Sequence, residues 1–180
     1  MEQETIIQHT QNWIKSVVVD LNFCPFAAKA LLQKTIHYTV AENTDLQKSL
    51  EILAQELHVL DNDDEIETSF IIFPNSFSDF DEYLDLVEAA QQLIKLQDSE
   101  GIYQVATFHP GYCFEGSGEN DPANYTNRSP YPMLHLLREE SVEKALRAYK
   151  DPESIPVRNV NLAREKGLKY MQALRAACFG

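Results

Sequence analysis

Two long amphipathic stretches, each set between strand-like runs, restrict this chain more than any other feature. In the first, Leu46, Leu50, Leu53, Leu57 and Leu60 recur at helical spacing behind Thr44-x-x-Gln47, which reads as a capping box. In the second, Phe80, Tyr83, Leu84, Val87, Ala90 and Ile94 make the apolar stripe, Ser78 is placed to cap it, and Asp79, Asp81 and Glu82 supply an acidic first turn. The strand-like runs are residues 35 to 41, where Ile36, Tyr38 and Val40 alternate with Thr35, His37 and Thr39, residues 66 to 73, stopped by Pro74, and residues 102 to 108. Strands separated by helices of this length need crossover connections, so the second and third strands are expected to be parallel neighbours ending at Phe73 and Phe108. The fold class is therefore α/β: a small sheet of three to four strands, at least two of them parallel, covered by helices.

The rest of the chain completes one domain of 180 residues, with no internal repeat and no linker. Ile6, Thr10, Trp13, Ile14 and Val17 predict a helix over residues 4 to 20 with Trp13 on its buried face, and Pro25 opens a second, short helix. Residues 109 to 131 form a loop with Pro110, Gly111, Gly116, Gly118, Pro122 and Pro130 and no periodicity, but Tyr112, Phe114, Tyr125 and Tyr131 argue against disorder. A helical C-terminal section follows: Pro132 opens a short turn through MLHLLRE, Ser141 caps VEKALRAY, and Pro156 starts a last helix reaching about residue 176.

Charge and cysteines narrow the functional classes. A net charge of -13 works against the phosphate attraction behind most nucleic-acid binding and against anionic membrane surfaces. No run of apolar residues is long enough to span a bilayer, and the N-terminus lacks the basic head and apolar stretch of a signal peptide, so a cytoplasmic protein is expected. Cys24, Cys113 and Cys178 are far apart and odd in number, which suits reduced thiols. The first 100 residues hold 19 acidic side chains and no arginine, whereas all six arginines lie at or after Arg128, so any site for a carboxylate or phosphate is expected to draw on the second half.

In parallel α/β sheets ligands bind beyond the carboxyl ends of the strands, where His109 enters the long loop. Read as helical neighbours, His135, Arg138 and Glu139 share one face. With Arg128, and with Asn124, Tyr112 and Tyr125 in the same loop, they offer imidazoles for acid–base work and two guanidinium forks for an anion. Each has a structural alternative: Arg128 holding the loop through Asp121, and His135 bonding a backbone carbonyl. Cys24, before Pro25, is either a helix N-cap thiol of lowered pKa and a candidate nucleophile or a buried inert thiol between Phe23 and Phe26. His109, Asp121, His135 and Cys24 include metal-ligand types, but no ligand spacing supports a metal site. No G-x-G-x-x-G or Walker sequence is present, and no cofactor is implied.

The strings LNFCPFA, ATFHPGYCFEG and DPANYTNRSPYPMLHLLRE, from Leu21 to Ala27, Ala106 to Gly116 and Asp121 to Glu139, resemble a bacterial family catalogued as domain of unknown function 1415. The resemblance spans essentially the whole chain and implies membership without a reaction. Its motif positions include Cys24, His109, Tyr112, Asn124, Arg128, His135, Arg138 and Glu139, but not Cys113. Two functions follow as expectations: an enzyme of hydrolase or transferase type acting on a small anionic metabolite, with His109 or His135 as acid–base, or a non-catalytic module that binds a ligand or a protein through residues 109 to 139.

Overall fold

The computed structural model describes residues 2–147 and 149–180. In chain order the elements are α1 (Gln3–Trp13), running on into a π-helical segment (Ile14–Val19), α2 (Ala27–Gln33), β1 (Ile36–Val40), α3 (Leu46–Asn62), β2 (Thr68–Ile72), α4 (Phe80–Leu96) and β3 (Tyr103–Phe108). After the long loop, with its short 3-10 turn Pro122–Thr126, come β4 (Met133–Arg138), α5 (Glu139–Arg147), α6 (Ile155–Lys166) and α7 (Leu168–Ala176). The sheet order is β1-β2-β4-β3.

The α/β reading holds, but two expectations about the sheet need correction. Residues 133 to 138 are a strand and not a turn of helix: β4 is central and buried on both faces, so Met133, Leu134, Leu136 and Leu137 show no two-residue alternation to betray it. Because β4 lies between them, β2 and β3 are not neighbours. They run in the same direction, each antiparallel to β4, and the parallel neighbours are β1 and β2, joined through α3. The carboxyl ends of β2 and β3 still share one edge, where the Tyr83 hydroxyl donates to Met133 O (2.7 Å) and accepts from the Phe108 amide (3.0 Å).

Local chemistry sets the helix ends. Asp45, one residue after the expected cap, accepts from the Lys48 amide at 2.8 Å, and Asp79 rather than Ser78 accepts from the amides of Asp81 and Glu82. The last helix is two, divided at Gly167, whose φ of 81° suits glycine. Of the VEKALRAY stretch, α5 covers the part up to Arg147, while Ala148 lies outside the described residues.

Alternation along the strands divides the core. Phe70, Ile72, Met133 and Phe108 face α1, the π segment and the C-terminal helices, where Trp13 is fully buried. Ser69, Ile71, Phe73, Leu134 and Leu136 face α3 and α4, meeting Leu53, Leu57, Leu60, Leu86 and Ile94. No helix among the described residues is long and apolar enough to cross a membrane.

Candidate functional site: the ordered loop after the third strand

The loop leaving β3 is ordered by its own polar side chains. Asn124, fully buried, accepts from the Phe114 amide (3.0 Å) and the Ser117 hydroxyl (2.9 Å) and donates to Gly118 O (2.9 Å). Asn127 donates to Thr107 O (3.2 Å), and the Trp13 indole N–H donates to Arg128 O (3.1 Å), fastening the far end of the loop to the core. Asp121 is held by a fork from Arg164 on α6 (2.7 and 3.1 Å), which lowers its pKa chiefly through that hydrogen bond.

His109 is also structural in its bonding. Its Nε2–H donates to Phe77 O and its Nδ1 accepts the Gly111 amide, both at 2.9 Å, and the ring packs against Phe80 and Tyr83. Burial lowers its pKa; Arg175 lowers it further, while the Phe77 carbonyl and Asp79 oppose. A neutral imidazole with both nitrogens engaged has no lone pair or proton to lend to a substrate.

Arg128 is half-buried and extends along the loop. Its Nε donates to Tyr112 O (2.8 Å), one terminal nitrogen donates to Glu119 O (3.0 Å), and the guanidinium lies 4.9 Å over the Tyr125 ring. The loop is pinned through two carbonyls and not through Asp121. Arg175, from α7, reaches the same place and donates to Ser129 O (2.8 Å). Its pKa is lowered mainly by burial, and the Arg128 charge adds to the effect, against Tyr125 and Cys178. Neither guanidinium has a carboxylate partner among the described residues. Each guanidinium therefore keeps N–H groups that no side-chain carboxylate among the described residues takes up.

The remaining sequence candidates do not join Arg128 and Arg175. In a strand His135 and Arg138 point to opposite faces, so the helical face proposed for them with Glu139 does not exist. Arg138 is occupied by Leu60 O (2.6 Å), Ile66 O (3.1 Å) and the Tyr103 hydroxyl (3.2 Å), bracing the α3–β2 turn. Glu139 starts α5, its amide bonded to Ile102 O, and makes no hydrogen bond to either histidine. Tyr112 is packed between Phe80 and Phe114, and burial raises its pKa. Cys24 does receive the Phe26 and Ala27 amides expected to favour a thiolate, but burial outweighs them and its pKa is raised. No three of His, Cys, Asp and Glu come together in a metal-holding group among the described residues.

Residues 5–173 match the family described as protein of unknown function DUF1415. The chain belongs to that family. No curated protein and no solved structure matches it. Within this DUF1415 protein, the strings that carry the resemblance build two places: His109, Tyr112, Asn124 and Arg128 order the loop, and Cys24, Phe26, Phe108 and His135 line a cavity on the α1 side of the sheet.

Two residues of consequence were not singled out from the sequence. Arg175 lies 47 positions after Arg128 on a different helix, and no local pattern links them. Glu56 was more accessible to reasoning: it falls at the i+3 position from Leu53 on the apolar stripe of α3, opposite the polar alternate positions of β1. It is 5% exposed and accepts from the Ser69 hydroxyl (2.5 Å), the Thr39 hydroxyl (2.8 Å) and His37 Nδ1 (3.0 Å).

Proposed function

We propose that this protein binds a small anionic metabolite, a carboxylate or phosphate, between Arg128 and Arg175, and that it acts as a binding module without turnover at that place. The observation that carries the reading is the pair of guanidiniums on one patch with no carboxylate on either among the described residues. Like charges placed together destabilise each other, and an anion seated between them removes that repulsion while filling the free N–H positions. The absence of turnover follows from His109, whose two ring nitrogens are spent on Phe77 and Gly111.

The test is thermal stability and calorimetric titration with inorganic phosphate and with acetate, at constant ionic strength. Wild type should show a saturable rise in Tm with at least one of the two. Arg175→Lys, which keeps the charge and loses the planar fork, should weaken binding by about tenfold, and Arg128→Lys by at least as much. A response that follows ionic strength alone, or that both lysine variants leave unchanged, overturns the proposal.

A further inference from the structure

The apolar stripe of α3 is wider than its contact with the core. Leu53, Leu57 and Leu60 are buried against the sheet, whereas Leu46 is 41% exposed and Leu50 and Ala54 are only half-buried. With Leu93 of α4, these last three line an open trough of about 460 Å³ between the two helices. α3 and α4 each return the chain between strands that run the same way, so the helices are parallel and their N-terminal ends lie together. There Leu46 also borders a second hollow, of about 480 Å³, walled by Asp45, Glu82 and Asp85. The two spaces meet at Leu46 as an apolar floor that runs into an acidic mouth. From Leu46 to Ala54, and from Asp85 to Leu93, each helix covers about 12 Å, a little over two turns.

The charge at the mouth is uncompensated. The two lysines of these helices are directed elsewhere, Lys48 to Glu51 (3.1 Å) and Lys95 to Glu100 (3.6 Å), and no ion pair among the described residues reaches Asp45, Glu82 or Asp85. Asp81 and Glu88 are exposed on the same helix and add to the negative field. A second copy of this face would bring like charge, and an anionic membrane would be repelled. An apolar segment that carries cations suits both the floor and the mouth. We propose that the α3–α4 trough docks a basic amphipathic helix of a partner protein. Apolar side chains of that helix at i, i+3, i+4 and i+7 lie on Leu46, Leu50, Ala54 and Leu93, and its lysines or arginines reach the carboxylates of the mouth.

The probe is a fluorescein-labelled peptide of about 16 residues with leucines at that spacing and lysines on both flanks, titrated with the full chain by fluorescence anisotropy. It should bind saturably, and more weakly as salt is raised. A peptide of the same composition with its leucines dispersed around the helix, and one with glutamate in place of each lysine, should each bind at least about tenfold more weakly. Leu46→Lys, which puts a cation where floor and mouth meet, should weaken binding of the first peptide at least about tenfold, and Asp85→Lys about fivefold. Both side chains are exposed, so neither substitution should lower the Tm, and Asp85→Lys keeps the test decisive if Leu46→Lys does not fold. No saturable binding, equal binding of either control peptide, or an affinity that Asp85→Lys leaves unchanged overturns the proposal. So does a dimer of the protein alone that Leu46→Lys abolishes, which would assign the face to a second copy. Neither substitution touches Arg128 or Arg175, so this outcome is separate from that of the anion titration.

Discussion

On the α3–α4 face of the sheet, Glu56 is buried at 5% exposure with three donors aimed at its two oxygens, whereas on the opposite face His135 is buried at 8% exposure with a single partner for its two nitrogens. The first arrangement is what a buried polar group requires: Ser69, Thr39 and His37 replace the water that the carboxyl group gave up, and in doing so tie α3 to β1 and β2. The second is a neutral ring held by the Thr68 hydroxyl and by stacking on Phe70. One face therefore uses its buried ionisable group to tie elements together, and the other keeps its own as part of an apolar core.

Removing Glu56 should have the largest effect on stability. Glu56→Ala strips the acceptor from two hydroxyls and leaves a void beneath β1, at a cost of about 3 kcal/mol in urea unfolding. Glu56→Gln, which keeps one acceptor oxygen, should lose less. If Glu56→Ala were neutral, the contrast between a richly and a sparsely bonded buried group would fail at its stronger end.

Acid should act next, through the other face. Burial pushes the His135 pKa down to about 3, and that of His109 in the same direction. Below pH ~6.5 the unfolded chain takes up protons that the folded chain refuses, so stability is complete above that pH and falls as the pH is lowered toward 3. For His135 alone the loss at pH 5 is about 2 kcal/mol. His135→Phe should flatten most of this slope in urea melts between pH 7 and pH 5, leaving the smaller part due to His109. A slope unaltered by the substitution would mean that His135 is not held neutral in a dry site.

The difference between the faces also explains what could be seen in the sequence. The α3–α4 face was legible because its stripes keep helical period and its strands are bounded by acidic turns and Pro74, so each element identifies itself locally. Trp13 and the ordered aromatic loop were legible for the same reason. β4 was not: a strand buried on both sides shows no alternation, and Met and Leu are good helix formers, so Met133–Arg138 carried a helical signature. That one misreading removed the His135–Arg138–Glu139 cluster and put β4 between β2 and β3. Arg128 was legible as an organising residue from its place in a loop of small polar side chains, but its partners are the carbonyls of Tyr112 and Glu119, and backbone acceptors leave no mark in a sequence. Its companion Arg175 depends on how α7 folds back over the loop, which only tertiary structure decides.

The smallest expected effect concerns Cys24, and it tests whether the cavity is dry. The amides of Phe26 and Ala27 pull its pKa down, burial pushes it up, and burial is the larger influence. The reactive species is the thiolate, so a raised pKa and a position on the wall of an apolar cavity both slow alkylation. Cys113 sits half-buried in the ordered loop after β3 with Ser117 beside it. In native protein at pH 7, iodoacetamide should therefore modify Cys113 faster than Cys24 by about tenfold, as read by peptide mapping over time. If Cys24 were instead modified first, the amides at the start of α2 would be dominating over burial, and the cavity would be open to water.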